Sequence, residues 1–243
     1  MIMFILFLLP SSISYMENLS VIVPVYNEEK FLEKSLKRLL ELDEGLSILI
    51  IDDCSEDNSV NIAKSFTENN PRIKLITKSR NQGKGSVLIE GFKNVNTKYC
   101  AIHDADLEYF PKDFTSMYEK INEKTIVLGS RFIGNLERKN IYIRTFIANK
   151  FMSKFFSLIN RVDVSDVATC YKMFPTNMVK NLHLQEQGFS IEIELLSKLL
   201  EKSSNYVEIP IHYEGRSYKE GKKIKLKDGI YYLLNTIKYR VKK

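Results

Sequence analysis

No apolar run in this 243-residue chain reaches the ~18 residues that a membrane-spanning helix requires. A polytopic membrane protein is thereby excluded. Cysteine is scarce: Cys54, Cys100 and Cys170 are far apart and odd in number. They show neither metal-ligand spacing nor a disulfide framework, which favours a reducing cytosol. Internal repeats and low-complexity linkers are also missing. What is present is ordinary for a globular chain, 44% hydrophobic and 27% charged, which excludes disordered and collagen-like classes. The length suits one sizeable α/β domain or two small ones.

The net charge of +6 is unevenly placed. Arg216–Lys243 holds ten Lys/Arg against two Asp/Glu, a local +8, so Met1–Gly215 sums to −2. A basic tail on a near-neutral body suggests a phosphate, a membrane surface or nucleic acid, or else a plain solvated helix face. At the other end, Met1–Leu9 (MIMFILFLL) is apolar but lacks the positive n-region of a secretory signal. It reads as a membrane-dipping anchor or as upstream sequence before a start at Met16. Residues 1–18 are accordingly set outside the fold. Residues 19–215 are expected to form the body, and 216–243 a basic loop and amphipathic helix of the same domain.

Periodicity organises the body. Leu19–Val25, Leu46–Ile51, Ile73–Thr77, Tyr99–His103 and Thr125–Gly129 are short apolar runs that read as strands. Helical patterns occupy Glu28–Leu42, the stretch from Ser55 to about Thr67, and Gly83–Val95. This alternation predicts a mostly parallel sheet with helices on both faces. The second half is less regular. Thr169–Phe174 and Tyr206–Tyr213 read as strands. Ile141–Ile159 is a helix apolar almost all round, with Arg144, Lys150 and Lys154 interspersed. It suits either a core or a membrane surface. The last stretch places Ile230, Leu233, Leu234, Ile237 and Val241 on one helical face.

Ligands of such sheets bind beyond the carboxyl ends of the strands, where polar residues cluster here. Tyr26, Asn27 and Glu28 follow the first strand, Asp52 and Asp53 end the second, and Asp104 and Asp106 follow the fourth. If the strand stays extended, Asp104 and Asp106 point the same way and need a cation between or beside them. Mg²⁺ or Mn²⁺ suits such oxygen ligands and leaves positions for phosphate oxygens; Glu108 would join if the extension persists. The alternative is a solvated turn before Pro111. An acid at Asp53 can accept from a ribose or a base. The first turn, PVYNEE, lacks Gly-x-Gly-x-x-Gly, which excludes a nicotinamide or flavin enzyme. Gly83-Lys84-Gly85-Ser86 fails the P-loop spacing and reads as a loop opening a helix, or one near a nucleotide. His103 reads as a strand-end residue.

Together, VIVPVYNEE, IIDDCSEDNS, NQGKG, HDADLEYFPKD and VLGSRF resemble a family-2 glycosyltransferase of the GT-A fold. SDVATCYKMF, GFSIEIELLSKL and EIPIHYEGRSYKEGKKIKLKDG are similar to its dolichyl-phosphate mannose synthase and glucosyltransferase branch. The resemblance covers roughly Leu19 to Arg240. It implies that Pro24, Tyr26, Glu28 and Asp53 hold the base and ribose, with Ile51, Lys84 and Ala105 completing the nucleotide-sugar site. It implies that Asp104 and Asp106 surround metal and diphosphate, with Glu108 as a further ligand. Arg131 and Arg216 would face phosphate or sugar, and Lys222 and Lys223 would help hold an acceptor phosphate. Cys54 and Asn58 stand where glycine is frequent. The membrane-spanning extension of some relatives is not expected here.

The implied reaction is an inverting, metal-dependent transfer of a hexose from a GDP-mannose or UDP-glucose type donor. A polyprenyl phosphate acceptor would be largely deprotonated at neutral pH and need no general base. A saccharide hydroxyl would need one, and Asp166 is the candidate; otherwise Asp166 orients an Arg or the acceptor. The expected place of action is the cytoplasmic face of a membrane, with peripheral attachment. A non-catalytic sugar-nucleotide-binding module is a further alternative. A nucleotidyltransferase is disfavoured by the acidic first turn. Nucleic acid is not an expected partner, because the tail lacks interleaved aromatics.

Overall fold

The computed structural model describes residues 15–68, 70–136, 138–140, 142–216 and 226–240, with backbone alone at 226–228. The expected strands form β1 (Leu19–Val25), β2 (Ser47–Asp52), β3 (Ile73–Thr77), β4 (Tyr99–Ile102) and β5 (Thr125–Ser130). Between the first four run α1 (Leu32–Leu40), α2 (Ser59–Glu68) and α3 (Lys84–Asn94), and α4 (Asp113–Tyr118) precedes β5. Then follow β6 (Arg138–Lys139), α5 (Ile143–Asn160), β7 (Lys172–Pro175), α6 (Thr176–Lys180) and α7 (Ile191–Lys202). The described chain closes with β8 (Asn205–Pro210), β9 (Tyr213–Glu214) and α8 (Leu226–Lys238).

Seven strands make one sheet in the order β3-β2-β1-β4-β7-β5-β8. The β3–β2–β1–β4 block is parallel throughout, and β5 pairs parallel with β8. The exception is β7, which lies antiparallel to both β4 and β5. β1, β2, β4 and β5 are largely apolar and mostly buried because helices cover them, as the unbroken runs require, whereas β3 at the sheet edge buries Ile73 alone. The order in which strands are laid down reverses between β1 and β4, so the crevice of the sheet opens at their carboxyl ends. A small parallel pair, β6–β9, lies outside this sheet.

One expectation changes. The body extends upstream of Leu19: Met16 is buried in the core and its carbonyl accepts from the Leu19 N–H. On the last helix, Ile230, Leu234 and Ile237 of the apolar face point outward. α8 buries Tyr232, Asn235 and Thr236 and exposes Ile230, Tyr231, Leu234 and Ile237. α5, which packs on α8, does likewise: Ser153, Phe156 and Asn160 are buried, Ile143, Ile147, Phe151 and Leu158 exposed. Val241 and the leader, residues 1–14, lie outside the described residues.

His103 is the strand-end residue the sequence suggests. Its ring is buried between Ser35 Oγ at Nε2 and Tyr171 OH at Nδ1, both at 2.9 Å. Burial pulls its pKa down to about 4, with the nearby Arg38 charge adding to the effect. The unfolded imidazole titrates near 6.5. The neutral ring therefore stabilises the fold above about pH 6.5, and that contribution is lost as pH falls through about 4. The full difference is on the order of 3 kcal/mol. Urea midpoints of the wild type should fall between those pH values, and those of His103→Gln should fall less. Parallel curves would remove His103 as the source.

Candidate active site

The loops after β1 and β2 are stitched together by side chains. Ser55 Oγ accepts from the Asn27 N–H and Ser59 Oγ from the Glu28 N–H, each at 2.9 Å. Asn27 Oδ1 accepts from the Glu56 N–H, Asp57 from the Glu29 N–H, and Glu29 from the Asn58 N–H. Asp52 turns back to hold the Ser55 N–H and hydroxyl. This folding places Cys54 at φ 63°. A β-carbon in that left-handed region costs roughly 1–2 kcal/mol, less the ~0.5–1 kcal/mol that glycine forfeits in chain entropy. Cys54→Gly should therefore stabilise the protein by about 0.5–1 kcal/mol in urea titrations. A loss of stability would show that the thiol makes contacts worth more than the strain.

Asp53 is nearly fully buried, and its carboxylate is already engaged. It accepts from the Gln82 and Gly83 N–H groups at 3.1 and 2.6 Å, and Lys78 Nζ lies 3.2 Å away. It acts here as the clasp of the NQGKG loop. That loop needs its glycines. Gly83 has φ 90°, and a β-carbon on Gly85 would lie 2.0 Å from the Glu186 carbonyl oxygen. The close packing turns Lys84 inward, toward the end of β4.

β4 ends at Ile102, and Asp104-Ala105-Asp106 lies in a turn followed by Leu107 at φ 64°. The extended-strand argument for the acid pair therefore fails. The two carboxylates remain close enough to repel, but each is met by a different cation. Lys84 Nζ sits 2.8 Å from Asp104 Oδ1, and Arg216 Nη2 sits 2.9 Å from Asp106 Oδ2. Burial works against the Asp104 charge, yet Lys84 prevails and lowers its pKa. Asp106 goes the other way: burial and the Glu108 and Asp104 charges push it up to about 7.

Glu108 does not join the pair. Its carboxylate accepts from the Tyr213 hydroxyl and the Arg216 N–H, each at 2.8 Å, which pins β9 and the residue beyond it. Among the described residues no group of three or more His, Cys, Asp or Glu is assembled around a metal position. The expected trio of ligands is thus reduced to Asp104 and Asp106. Those two still fit a divalent cation by donor type. Lys172, Lys84 and Arg216 stand in direct contact with Glu192, Asp104, Asp106, Glu28 and Glu108. The hard oxygen donors are of the class Mg²⁺ and Mn²⁺ take.

Arg216 also reaches Glu28 Oε2 at 3.2 Å, joining the turns after β1 and β4. Arg131 and Asp166 are brought together, but with each other: the guanidinium binds both carboxylate oxygens at 2.7 and 2.8 Å, and the Arg131 N–H adds a third bond. Asp166 is fully buried and has no free face for a substrate proton, which corrects its proposed role as a general base. Its other reading, the orientation of an arginine, matches this geometry. Arg131 lies over the Tyr213 ring at 5.0 Å. Ile51 and Ala105 are buried, Ile51 in the core beside α3. Pro24 pairs with Ile51 across β1–β2, and Tyr26 begins the turn that follows. Lys222 and Lys223 lie outside the described residues.

The sequence reading missed Lys172 and Glu192. Lys172 is completely buried, donates to the Thr169 carbonyl and pairs with Glu192, which in turn lies 3.0 Å from Lys84. The available signal was GFSIEIELLSKL, where two acids interrupt an apolar helical run. Both are buried; Glu194 accepts from the Gln185 and Glu186 N–H groups and pairs with Lys198.

Comparison with known proteins bears on the family and the fold. The profile described as Glycosyl transferase family 2 matches residues 20–182. A dolichol-phosphate mannosyltransferase of Pyrococcus furiosus is 30% identical over 208 residues, covering 84% of this chain and 58% of that protein. A dolichyl-phosphate beta-glucosyltransferase of Dictyostelium discoideum is 31% identical over 222 residues, covering 79% and 67%. The chain thus spans between half and two thirds of the archaeal relative's length. Among solved structures, glucosyl-3-phosphoglycerate synthase from Mycobacterium tuberculosis in complex with UDP superposes with TM-score 0.69 at 12% identity, covering 91% of this chain and 79% of that one. At that identity the likeness speaks to the fold alone, and it is the GT-A fold. By sequence profile and by sheet architecture together, this chain belongs to glycosyl transferase family 2.

Proposed function

We propose that the protein is an inverting glycosyltransferase that moves a hexose from a nucleoside-diphosphate sugar to a polyprenyl phosphate. The observation that carries this reading is the consumption of Asp166 by Arg131. With no free base there, the acceptor suited to the site is one already deprotonated, such as a phosphate. The names of the two relatives, which carry dolichyl-phosphate transferases, support the same acceptor class. GDP-mannose and UDP-glucose are the donor types those names suggest.

In this reading Asp53 holds the Gln82–Gly83 loop in place beside the nucleotide, and Pro24, Tyr26 and Glu28 line the first turn. Asp104 and Asp106 are the residues that would hold Mg²⁺ or Mn²⁺. Bound there, the ion would stabilise charge on the departing diphosphate. Lys84 and Arg216 add positive charge beside the same turn. Arg216 also binds the acceptor phosphate and sets it for single displacement. Arg131, held rigid by Asp166, borders that path.

The acceptor's lipid tail calls for a membrane surface. No helix among the described residues is long and apolar enough to cross a membrane. The outward apolar residues of α5 and α8, with Arg144, Lys150 and Lys154, form a face suited to peripheral attachment. The cytoplasmic side is the one where nucleotide sugars are expected. The deciding experiment incubates the protein with Mg²⁺, a panel of UDP- and GDP-sugars and a polyprenyl phosphate. Release of nucleoside diphosphate together with a glycolipid is the expected result. Transfer only to a soluble saccharide would replace the lipid acceptor and keep the glycosyltransferase.

A further inference from the structure

Both cations on the acid pair have a second carboxylate within reach. Lys84 lies between Asp104, at 2.8 Å, and Glu192 Oε1, at 3.0 Å. The second contact is an ion pair without an aligned hydrogen bond, and Glu192 Oε1 is a buried oxygen that accepts none. A buried carboxylate oxygen in that state is costly, so Glu192 holds unused capacity for the Lys84 ammonium. Its other oxygen is tied to Lys172, itself buried and anchored to backbone carbonyls. Lys172 thus fixes Glu192, and Glu192 offers Lys84 a place to go. The positive charge of Lys84 is secure: burial opposes it, but Asp104 and Glu192 outweigh that and raise its pKa well above the usual lysine value.

We propose that Lys84 is a resident counter-ion of Asp104 and that Glu192 is its parking site. With the acid turn free, Lys84 neutralises Asp104. With a divalent cation at Asp104, Lys84 withdraws onto Glu192 and stays beside the diphosphate as a second positive charge. Lys172 and Glu192 are positioning residues in this scheme, acting through Lys84. The inference rests on the divalent-cation reading of the Asp104–Asp106 turn and deepens it.

The test measures binding of Mn²⁺ alone, without nucleotide, by calorimetry or by the loss of its free-ion resonance signal. Lys84→Met removes the competitor and should tighten Mn²⁺ at least about tenfold. Glu192→Gln removes the parking site, holds Lys84 on Asp104, and should weaken Mn²⁺ at least about tenfold. The two effects should not add. In the Lys84→Met background, Glu192→Gln should change affinity by less than about threefold, because nothing remains to park. Additive shifts would mean ordinary charge effects and would overturn the proposal. So would an unchanged or weaker affinity in folded Lys84→Met, or absence of Mn²⁺ binding in both wild type and Lys84→Met. If Glu192→Gln does not fold with Lys172 orphaned, Lys84→Met decides, with Lys84→Arg expected to restore the wild-type affinity. Glycosyl transfer by the wild type, assayed in parallel, separates the two readings. Opposite Mn²⁺ shifts in an inactive protein keep this inference and remove the function. An active enzyme without them does the reverse.

Discussion

Asp104→Asn or Asp106→Asn is expected to lower turnover at least ~100-fold, the scale of losing one key electrostatic stabiliser of departing charge. Each substitution nearly preserves shape and replaces a carboxyl group of the acid turn by a neutral amide. The structure adds an asymmetry. Asp104→Asn leaves Lys84 with Glu192, so the buried ammonium keeps a partner. Asp106→Asn leaves Arg216 with Glu28, and it also relieves the repulsion that raises the Asp106 pKa. Both variants should therefore fold at close to wild-type stability while losing activity. EDTA should abolish the wild-type reaction, and Mg²⁺ or Mn²⁺ should restore it. Full turnover in EDTA would take the divalent ion out of the mechanism, and activity within threefold of wild type in both variants would take the turn out of it.

The second large effect separates reaching the acceptor from using it. Arg216→Ala should cut transfer to polyprenyl phosphate at least ~100-fold, since a guanidinium that meets a phosphate with paired N–H groups has no substitute in one methyl. Its adsorption to anionic liposomes should barely change, because each surface charge contributes only roughly 1 kcal/mol. Phe151→Glu combined with Leu234→Glu should do the opposite. Both side chains are more than half exposed, so the fold tolerates the change, yet two charges are placed on the outward apolar face. Co-sedimentation with liposomes should fall at least about tenfold, while transfer to a short, water-soluble prenyl phosphate persists. Equal losses of both readouts in both proteins would collapse the distinction. Retained sedimentation of the double variant would move the docking face elsewhere, toward the basic stretch that contains Lys222 and Lys223.

The parallel half of the sheet was legible because β1, β2 and β4 are buried on both faces and read as nearly unbroken apolar runs. β1 and β3 match their expected limits, and β2, β4 and β5 end within a residue of theirs. The acids at strand ends were legible for the same reason, since the crevice position follows from topology. What was not legible depends on partners distant in sequence. Whether Asp104 and Asp106 point together is decided by a turn and a left-handed Leu107, which a two-residue spacing cannot reveal. Asp53 and Asp166 read as ligand or base candidates because an acid's occupancy is invisible until its donors are placed. Here those donors come from 29 and 35 residues away. α8 shows another limit: periodicity states that one face is apolar, not which way it faces. Tyr206–Tyr213 was read as one strand and is two, because Pro210 ends β8 and the chain turns before β9.

The place of β8 in the sheet bears on how this protein can be cut. The matched family segment stops at residue 182, before α7 and β8. β8 covers the outer side of β5 along all six of that strand's residues, from Thr125 to Ser130. Every one of those six is buried. A fragment ending at residue 182 would present β5 as a bare sheet border, apolar and with its backbone N–H and C=O groups unpaired. Such a border recruits the same border of another molecule. The portion that the family shares is therefore not a portion that can be isolated. Expressed alone, it should form insoluble aggregates, and a fragment reaching Pro210 should stay in solution.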